Sequence, residues 1–185
     1  MERPIQAEEE QRRKSRTEGI TFRLDENVIR ALRKQAEQKQ VSVNTLAAQI
    51  FNSHLDWNAN AGRAGMVSFP KSLLIRLMEG HSNERIIEIA KYMAQKEVAD
   101  IILLLRNNYT PETFLDVVES WAEASGFPFN HHVERDRHVY VIQHDMGDGW
   151  SLYLAKVFEY VFEEIGTKKP EIKVTNNTFV LKTEL

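Results

Sequence analysis

The chain has 185 residues, of which 42% are hydrophobic, and a formal net charge of −3. This length fits one medium domain, or a small domain joined to a larger one. It contains no cysteine, which excludes disulfides, thiolate metal ligands and cysteine nucleophiles. The N-terminal segment is charged and no apolar run reaches the length of a membrane span, so we expect a cytoplasmic protein without membrane contact.

The charge is distributed unevenly. Residues 11–45 carry nine basic and four acidic side chains, whereas residues 58–185 carry 14 basic and 18 acidic ones. A basic segment on an acidic chain indicates that one part of the protein meets a polyanion. The alternative is a run of charges that is simply solvated.

The first quarter of the chain predicts a strand followed by two helices. Residues 1–18 lack apolar periodicity and predict a flexible basic arm. The alternating run Ile20-Thr21-Phe22-Arg23-Leu24 predicts a short strand. Asp25 is a good N-cap for a helix over about 26–39.

A second helix over about 43–56 is predicted to begin after Ser42, and a linker follows it. Leu46, Ala47, Ile50, Phe51 and Leu55 recur at helical spacing in this second helix. The small, polar segment NANAGRAG, residues 58–65, predicts a flexible linker. The small domain therefore covers residues 19–57.

Residues 66–185 predict a second domain of the α+β class, with helices followed by the order β-β-α-β-β. Its helices include a short one in FPKSLLIRLM, a long one over about 83–106, and one that Thr110 caps and Gly126 ends. Two strands flank a tight turn at Arg135-Asp136, and an amphipathic helix then ends at Gly166. A hairpin with Asn176-Asn177 at its turn closes the domain, since Asn tolerates positive φ.

The predicted strand at 20–24 has no partner in its own domain. Alternation places Ile20, Phe22 and Leu24 on one face, and Thr21 and Arg23 on the other. About 40 residues are too few to bury a core alone. A second copy solves this problem, because two such strands can pair across a two-fold axis and close their apolar faces over four helices.

The segment TFRLDENVIRALRKQAEQKQVSVNTLAAQIF resembles the ribbon-helix-helix family of DNA-binding regulators, the MetJ/Arc/CopG group. The order and spacing of strand, capping residue, helix, turn and second helix all agree with that family. The resemblance implies an intertwined homodimer whose β-ribbon lies in the major groove of double-stranded DNA. Thr21 and Arg23 then reach base edges, and Arg suits guanine because its fork matches O6 and N7. Gly19 occupies the other outward position and offers no side chain.

Phosphate contacts follow from the same resemblance. Ser42, with the amides of Val43 and Asn44, lies at a helix N-terminus, where free N–H groups suit a phosphate. The alternative is that Ser42 only caps its helix. The arm supplies a second set of phosphate-binding residues, namely Arg12, Arg13, Lys14 and Arg16.

The second domain contains the histidines that we consider as metal ligands. A two-residue turn at 135–136 places His131 and His138 on one strand face, a diagonal step apart, whereas His144 lies too far along to share a metal with His138. A third ligand has to come from elsewhere, so we predict no metal site and no cofactor. The segment HDMGDGW, 144–150, is interpreted as a strand-to-helix connection, with an anion-binding loop as the alternative.

The sequence therefore predicts a transcription regulator without enzymatic activity, acting as a repressor by occupying its operator. The second domain, 66–185, is expected to oligomerise or to sense an unidentified small-molecule effector. Three alternatives stay open: an antitoxin, a DNA-organising protein without sequence preference, and an enzyme domain fused to an autoregulatory DNA-binding domain. The enzyme alternative requires a deep pocket that holds at least two of His131, His138, His144 and Asp145.

Overall fold

A computed structural model describes residues 18–185. The predicted arm residues Arg12, Arg13, Lys14 and Arg16 lie outside the described residues. The chain divides into two compact units, Met1–Ala47 and Ala48–Leu185. We call them the N-terminal unit and the C-terminal unit.

The two helices predicted for the first quarter of the chain are present. Helix α1 spans Glu26–Gln38, and the Asp25 carboxylate accepts a 2.8 Å hydrogen bond from the Asn27 N–H as its cap. Helix α2 spans Val43–Ser53. The turn between them contains Gln40 at a φ of 55°, a left-handed conformation that cannot continue a helix.

Residues 18–25 form neither a strand nor a helix in the single chain. The strand predicted over 20–24 is thus not formed here, because a strand exists only through hydrogen bonds to a neighbouring strand.

The predicted linker over 58–65 is partly helical. Helix α2 continues into a π-helical segment, π1, His54–Asn58, and then into helix α3, Ala59–Ala61. Trp57 is only 8% exposed and belongs to the core of the C-terminal unit. Burial of this large side chain holds the helix past the point where the small polar residues suggested a break, and the two units divide between Ala47 and Ala48 instead.

The C-terminal unit begins with helices in the predicted places. They are α4, Lys71–Glu79; α5, Asn83–Met93; a second π-helical segment, π2, Ala94–Val98; α6, Ala99–Arg106; and α7, Pro111–Ala124. Thr110 and Thr113 form a reciprocal capping box at the start of α7, with Pro111 at its first position. The long helix predicted over 83–106 is therefore one continuous run with a π-helical segment in its middle.

A four-stranded antiparallel sheet completes the C-terminal unit and confirms the predicted α+β class and β-β-α-β-β order. Its strands are β1, Phe129–Glu134; β2, Arg137–Gln143; β3, Glu171–Val174; and β4, Thr178–Thr183. They lie in the order β1-β2-β4-β3. Helix α8, Gly147–Ile165, connects β2 to β3.

The core of the C-terminal unit lies between α8 and one face of this sheet. Phe158 of α8 packs against Phe114 of α7 at a ring-centroid distance of 4.9 Å, and against Phe179 of β4 at 4.6 Å. Helix α8 thus joins the helical layer to the sheet. Among residues 18–185, no helix combines the length and hydropathy that a membrane crossing requires.

Both predicted hairpin turns are present, and they differ in backbone conformation. Arg135 and Asp136 have φ values of 47° and 68°, as the right-handed twist of the flanking strands favours. Asn176 and Asn177 also lie at the tip of their hairpin, but neither has a positive φ. The reason given for that turn was therefore wrong, and Asn177 acts instead through its hydrogen bonds to the loop before α8.

The β1–β2 turn generates a stability prediction. The double substitution Arg135→Asn with Asp136→Gly should raise the free energy of unfolding by about 1 kcal/mol, because it removes the steric cost of left-handed backbone at two side-chain-bearing positions. Urea denaturation measures this. Asp136→Val is the opposing control, because a β-branched residue is strained at positive φ and should lower the midpoint. If Asp136→Val is as stable as the parent, the turn geometry is wrong.

Candidate nucleic-acid interface and histidine sites

The predicted base-reading residues lie on the surface of the N-terminal unit. Thr21 and Arg23 are both exposed. A Cβ added to Gly19 would meet nothing within 4 Å, so no packing contact requires a glycine there. These three positions are therefore open to a partner, as the outward face of a DNA-reading ribbon requires.

The apolar residues that alternate with them are exposed as well. Ile20 is 75% exposed, Phe22 51% and Leu24 48%, and Val28 at the start of α1 is 46% exposed. Single exposed apolar residues are ordinary, whereas four within nine residues of sequence indicate an interaction surface. We call these four side chains the apolar patch.

Ser42 acts as the N-cap of α2. Its Oγ accepts a hydrogen bond from the Thr45 N–H at 3.0 Å and lies 2.8 Å from Thr45 Oγ1. The capping role considered as the alternative is thus present, although it leaves room for the phosphate role. The first N–H groups of a helix, here those of Val43 and Asn44, have no carbonyl partner within that helix.

The small basic excess of the N-terminal unit is shared equally between residues 1–17 and residues 18–47. Each of these two segments carries five basic and four acidic side chains, and the basic ones of the first segment include Arg12, Arg13, Lys14 and Arg16. One basic residue of α1, Arg30, is engaged with Glu26 at 2.8 Å, in an exposed ion pair of a kind that contributes little to stability. Any strong attraction to a polyanion therefore depends on the sequence cluster Arg12, Arg13, Lys14 and Arg16 together with Arg23.

Two of the histidines of the C-terminal unit meet, as the two-residue turn predicts. The strand register pairs His131 with Tyr140 and Val133 with His138. His131 Nε2 lies 3.0 Å from His138 Nδ1, and the His131 ring lies parallel to the Tyr140 ring, with centroids 4.2 Å apart. This row of three rings covers the end of the sheet next to the β1–β2 turn.

The row of rings holds at most one proton between its two facing nitrogens, because a hydrogen bond needs one donor and one acceptor. Burial, followed by the charges of His138 and His132, holds the pKa of His131 below its ordinary value. In the described part of the chain, no three His, Cys, Asp or Glu side chains come together as a metal-binding group. The pair alone offers two nitrogens, fewer than a zinc site needs.

His144 lies apart from that row, in the interior. It is fully buried, its Nε2 lies 2.9 Å from Ser151 Oγ, and its Nδ1 accepts a 3.1 Å hydrogen bond from the Met146 N–H. Ser151 Oγ in turn donates to the Thr175 carbonyl at 2.6 Å. These bonds connect the residues after β2, the second turn of α8 and the β3–β4 turn.

The same bonds decide what the His144–Ser151 pair can do chemically. Because Nδ1 accepts, the proton of the neutral ring is on Nε2, which donates to Ser151. A serine is activated by a base that takes its proton, and here the facing nitrogen already carries one. The arrangement therefore suits a structural cross-link rather than a nucleophile with its base, and desolvation holds the pKa of His144 below its ordinary value.

The segment 144–150 is a connection, as interpreted from the sequence. Helix α8 begins within this segment, at Gly147. The Gly147 N–H donates to Asn177 Oδ1 at 3.2 Å, and Asp148 places a carboxylate in the first helical turn. A protein acceptor and a negative charge thus occupy the place that an anion would need.

Two functional neighbours escaped the sequence analysis. Tyr140 joins the row of rings, and its position two residues from His138 on a predicted strand was a sufficient signal. Ser151 had no comparable signal, because nothing in the sequence pairs a helical serine with a histidine seven residues earlier. The enzyme alternative requires a deep pocket that holds at least two of His131, His138, His144 and Asp145. His131 and His138 contact each other in the row of rings, whereas His144 bonds to Ser151 and Met146.

Comparison with known proteins adds no family. A scan against protein-family models and a search of the curated proteins both returned no match.

His144 generates a prediction about pH. Its pKa is lowered in the folded state, so the unfolded chain binds the proton more readily and this residue stabilises the fold fully only above its unfolded pKa of about 6.5. The free energy of unfolding should therefore fall as the pH is lowered from about 7.5 through 6.5 and on to the pKa of the folded state. Urea denaturation at a series of pH values measures the effect.

The matched control is His144→Asn, which keeps an acceptor near the position of Nδ1 but cannot titrate. The stability difference between the parent and this variant should shrink as the pH falls from 7.5 to 5.5. A difference that stays constant over this range would show that the His144 ring accepts a proton equally well in both states.

Proposed function

We propose that this protein is a homodimeric, sequence-specific DNA-binding regulator of transcription that reads the major groove with Thr21 and Arg23. The observation that carries the proposal is the apolar patch. Three of its residues, Ile20, Phe22 and Leu24, alternate along the chain with Thr21 and Arg23 and precede two capped helices. A second copy provides the simplest cover for that patch, and pairing of two 20–24 segments provides the missing strand partner.

The polar face of the 20–24 segment, which carries Thr21 and Arg23, supports DNA as the ligand. Arg23 is exposed and its guanidinium can donate two parallel hydrogen bonds to guanine O6 and N7, a contact worth about 1–3 kcal/mol of discrimination between bases. The helix start at Ser42 and the arm residues are suited to phosphates, which fix the register and add affinity that falls with salt.

The C-terminal unit favours a regulator over an antitoxin. The antitoxin alternative expects a short tail that folds on a partner, whereas residues 48–185 form a compact unit with its own core. In the proposed regulator, this unit sets the spacing of two DNA-binding units or responds to a signal.

Arg23 provides the direct test of DNA reading. Arg23→Ala should reduce binding to the preferred sequence, obtained by selection from random DNA, by about tenfold or more, because one base contact is lost on each copy. Binding to random DNA should change much less. Titration by fluorescence anisotropy on both DNAs at fixed salt measures the two affinities.

The matched control is Arg33→Ala, which removes the same charge from an exposed position on α1. It should weaken binding to both DNAs equally, if at all. If Arg23→Ala and Arg33→Ala behave alike, Arg23 only adds charge and the base-reading assignment is wrong.

The two faces of the 20–24 segment generate a second prediction. Leu24→Glu should convert the dimer to a monomer, because a carboxylate cannot be buried unpaired in an apolar interface. Thr21→Glu places the same charge on the other face, so it should leave the dimer intact while abolishing DNA binding by repulsion from the phosphates. Analytical ultracentrifugation measures the oligomeric state, and a dimer that survives Leu24→Glu contradicts the ribbon model.

A further inference from the structure

The row of rings, His131, His138 and Tyr140, joins an edge strand of the sheet to its neighbour. Strand β1 lies at one end of the order β1-β2-β4-β3, so β2 is its only neighbour among the described strands. Five of its six residues are exposed, whereas β2 is paired along both edges. An edge strand has ladder hydrogen bonds on one side only, so side-chain contacts to β2 matter more for β1 than they do for a central strand.

The contact between the two histidines limits the number of protons that they can hold. His131 Nε2 lies 3.0 Å from His138 Nδ1, and the two rings are within 18° of parallel, with centroids 5.1 Å apart. One of the facing nitrogens donates and the other accepts, so at most one of the two rings can be charged. Protonation of both rings places an N–H on each facing nitrogen and two positive charges beside each other, and the hydrogen bond is lost.

Charged groups of the strands surround the row without replacing that hydrogen bond. Within residues 18–185, the hydrogen-bond partner of His131 and His138 is the other histidine, and β4 places the uncharged Thr183 opposite His138. The charged strand groups are engaged with one another, and they are His132 with Glu134 at 3.1 Å, Lys182 with Glu134 at 3.0 Å, Arg137 with Glu171 at 3.7 Å, and Arg137 with Glu184 at 3.8 Å.

Helix α7 contributes acidic side chains near the row. Burial, followed by the charges of Glu119, Asp116 and Glu112, raises the pKa of Tyr140 to about 12, so this ring stays uncharged wherever histidine titrates. A carboxylate favours a charged imidazole. Burial nevertheless dominates at His131 and, with the charges of His138 and His132, holds its pKa below the ordinary value.

We propose that the His131–His138 pair is a pH-sensitive clasp, which holds the turn end of β1 on β2 and releases it when both rings are protonated. Because the pKa of His131 is lowered in the clasped state, the released state binds the proton more readily. The clasp is therefore complete above about pH 6.5, the ordinary value for histidine, and it opens as the pH falls through the lowered pKa of His131.

Release is confined to the turn end because the other end of β1 is anchored separately. The Gln143 N–H donates to the Pro128 carbonyl at 2.9 Å, and Phe129 packs against the hydrophobic core. Strand β2 keeps its pairing with β4 from His138 to Gln143. Acid should thus free the backbone of residues 131–134 without unfolding the sheet.

Hydrogen exchange of the full chain, followed residue by residue by nuclear magnetic resonance, tests the clasp. The measured quantity is protection, the exchange rate of an unstructured chain divided by the observed rate, which removes the direct effect of pH on exchange. The protection of the hydrogen-bonded amides within 131–134, divided by that of the β4 amides 179–181, should fall several-fold from pH 7.5 to pH 5.0. Division by the β4 value cancels any loss of stability of the whole unit, such as that expected from His144.

Substitutions assign the effect to the pair. His131→Phe keeps an aromatic ring beside Tyr140 but cannot titrate, so the protection ratio should become independent of pH. His138→Gln removes the other charge and should give the same result, which keeps the proposal testable if one variant does not fold. His132→Gln is the matched control, because it removes an exposed histidine from the opposite face of the same strand and should keep the pH dependence.

Three results would overturn the proposal. They are a protection ratio in the parent that does not change with pH, a pH dependence that persists in His131→Phe or His138→Gln, and a pH dependence that His132→Gln removes. None of these measurements involves DNA, so a failed DNA-binding test leaves this inference intact and the reverse also holds.

Discussion

The packing of Phe158 against Phe114 on one side and Phe179 on the other holds the C-terminal unit together. Helix α8 is the only one of the described helices that lies between two strands in sequence, and its inward side chains bury against the sheet. Buried rings of this size contribute several kcal/mol each. The bonds of the histidine cross-link depend on α8 staying in this position, because Ser151 lies on that helix.

The N-terminal unit, by contrast, buries few apolar side chains. Its described buried hydrophobic side chains are Ala36 and Leu46, while the apolar patch is exposed. A segment of this size gains too little from burial to offset the entropy of ordering its backbone. Association with a second copy is the physical solution we propose, and it would create the strand and the core in one step.

Local signals predicted much of the fold. Three helix ends were predicted correctly from single residues. Asp25 and Thr110 cap the starts of their helices by accepting hydrogen bonds from backbone N–H groups, and Gly166 ends α8 with a positive φ. The segment 58–65 is partly helical, which composition did not indicate, because composition describes local preference whereas burial of Trp57 is a tertiary effect. The role of Ser151 was missed for the same reason, since its partners His144 and Thr175 lie outside its helix.

Two buried polar groups close to the beginning of α8 differ in whether they have hydrogen-bond partners. His144 is buried with both ring nitrogens engaged, so it has no capacity left for a ligand or a substrate. Trp150 Nε1 is also buried, but the described residues leave it without an acceptor. Buried polar groups in native proteins are almost always satisfied, and His144 follows this rule. The histidine that looked chemical in the sequence is therefore structural.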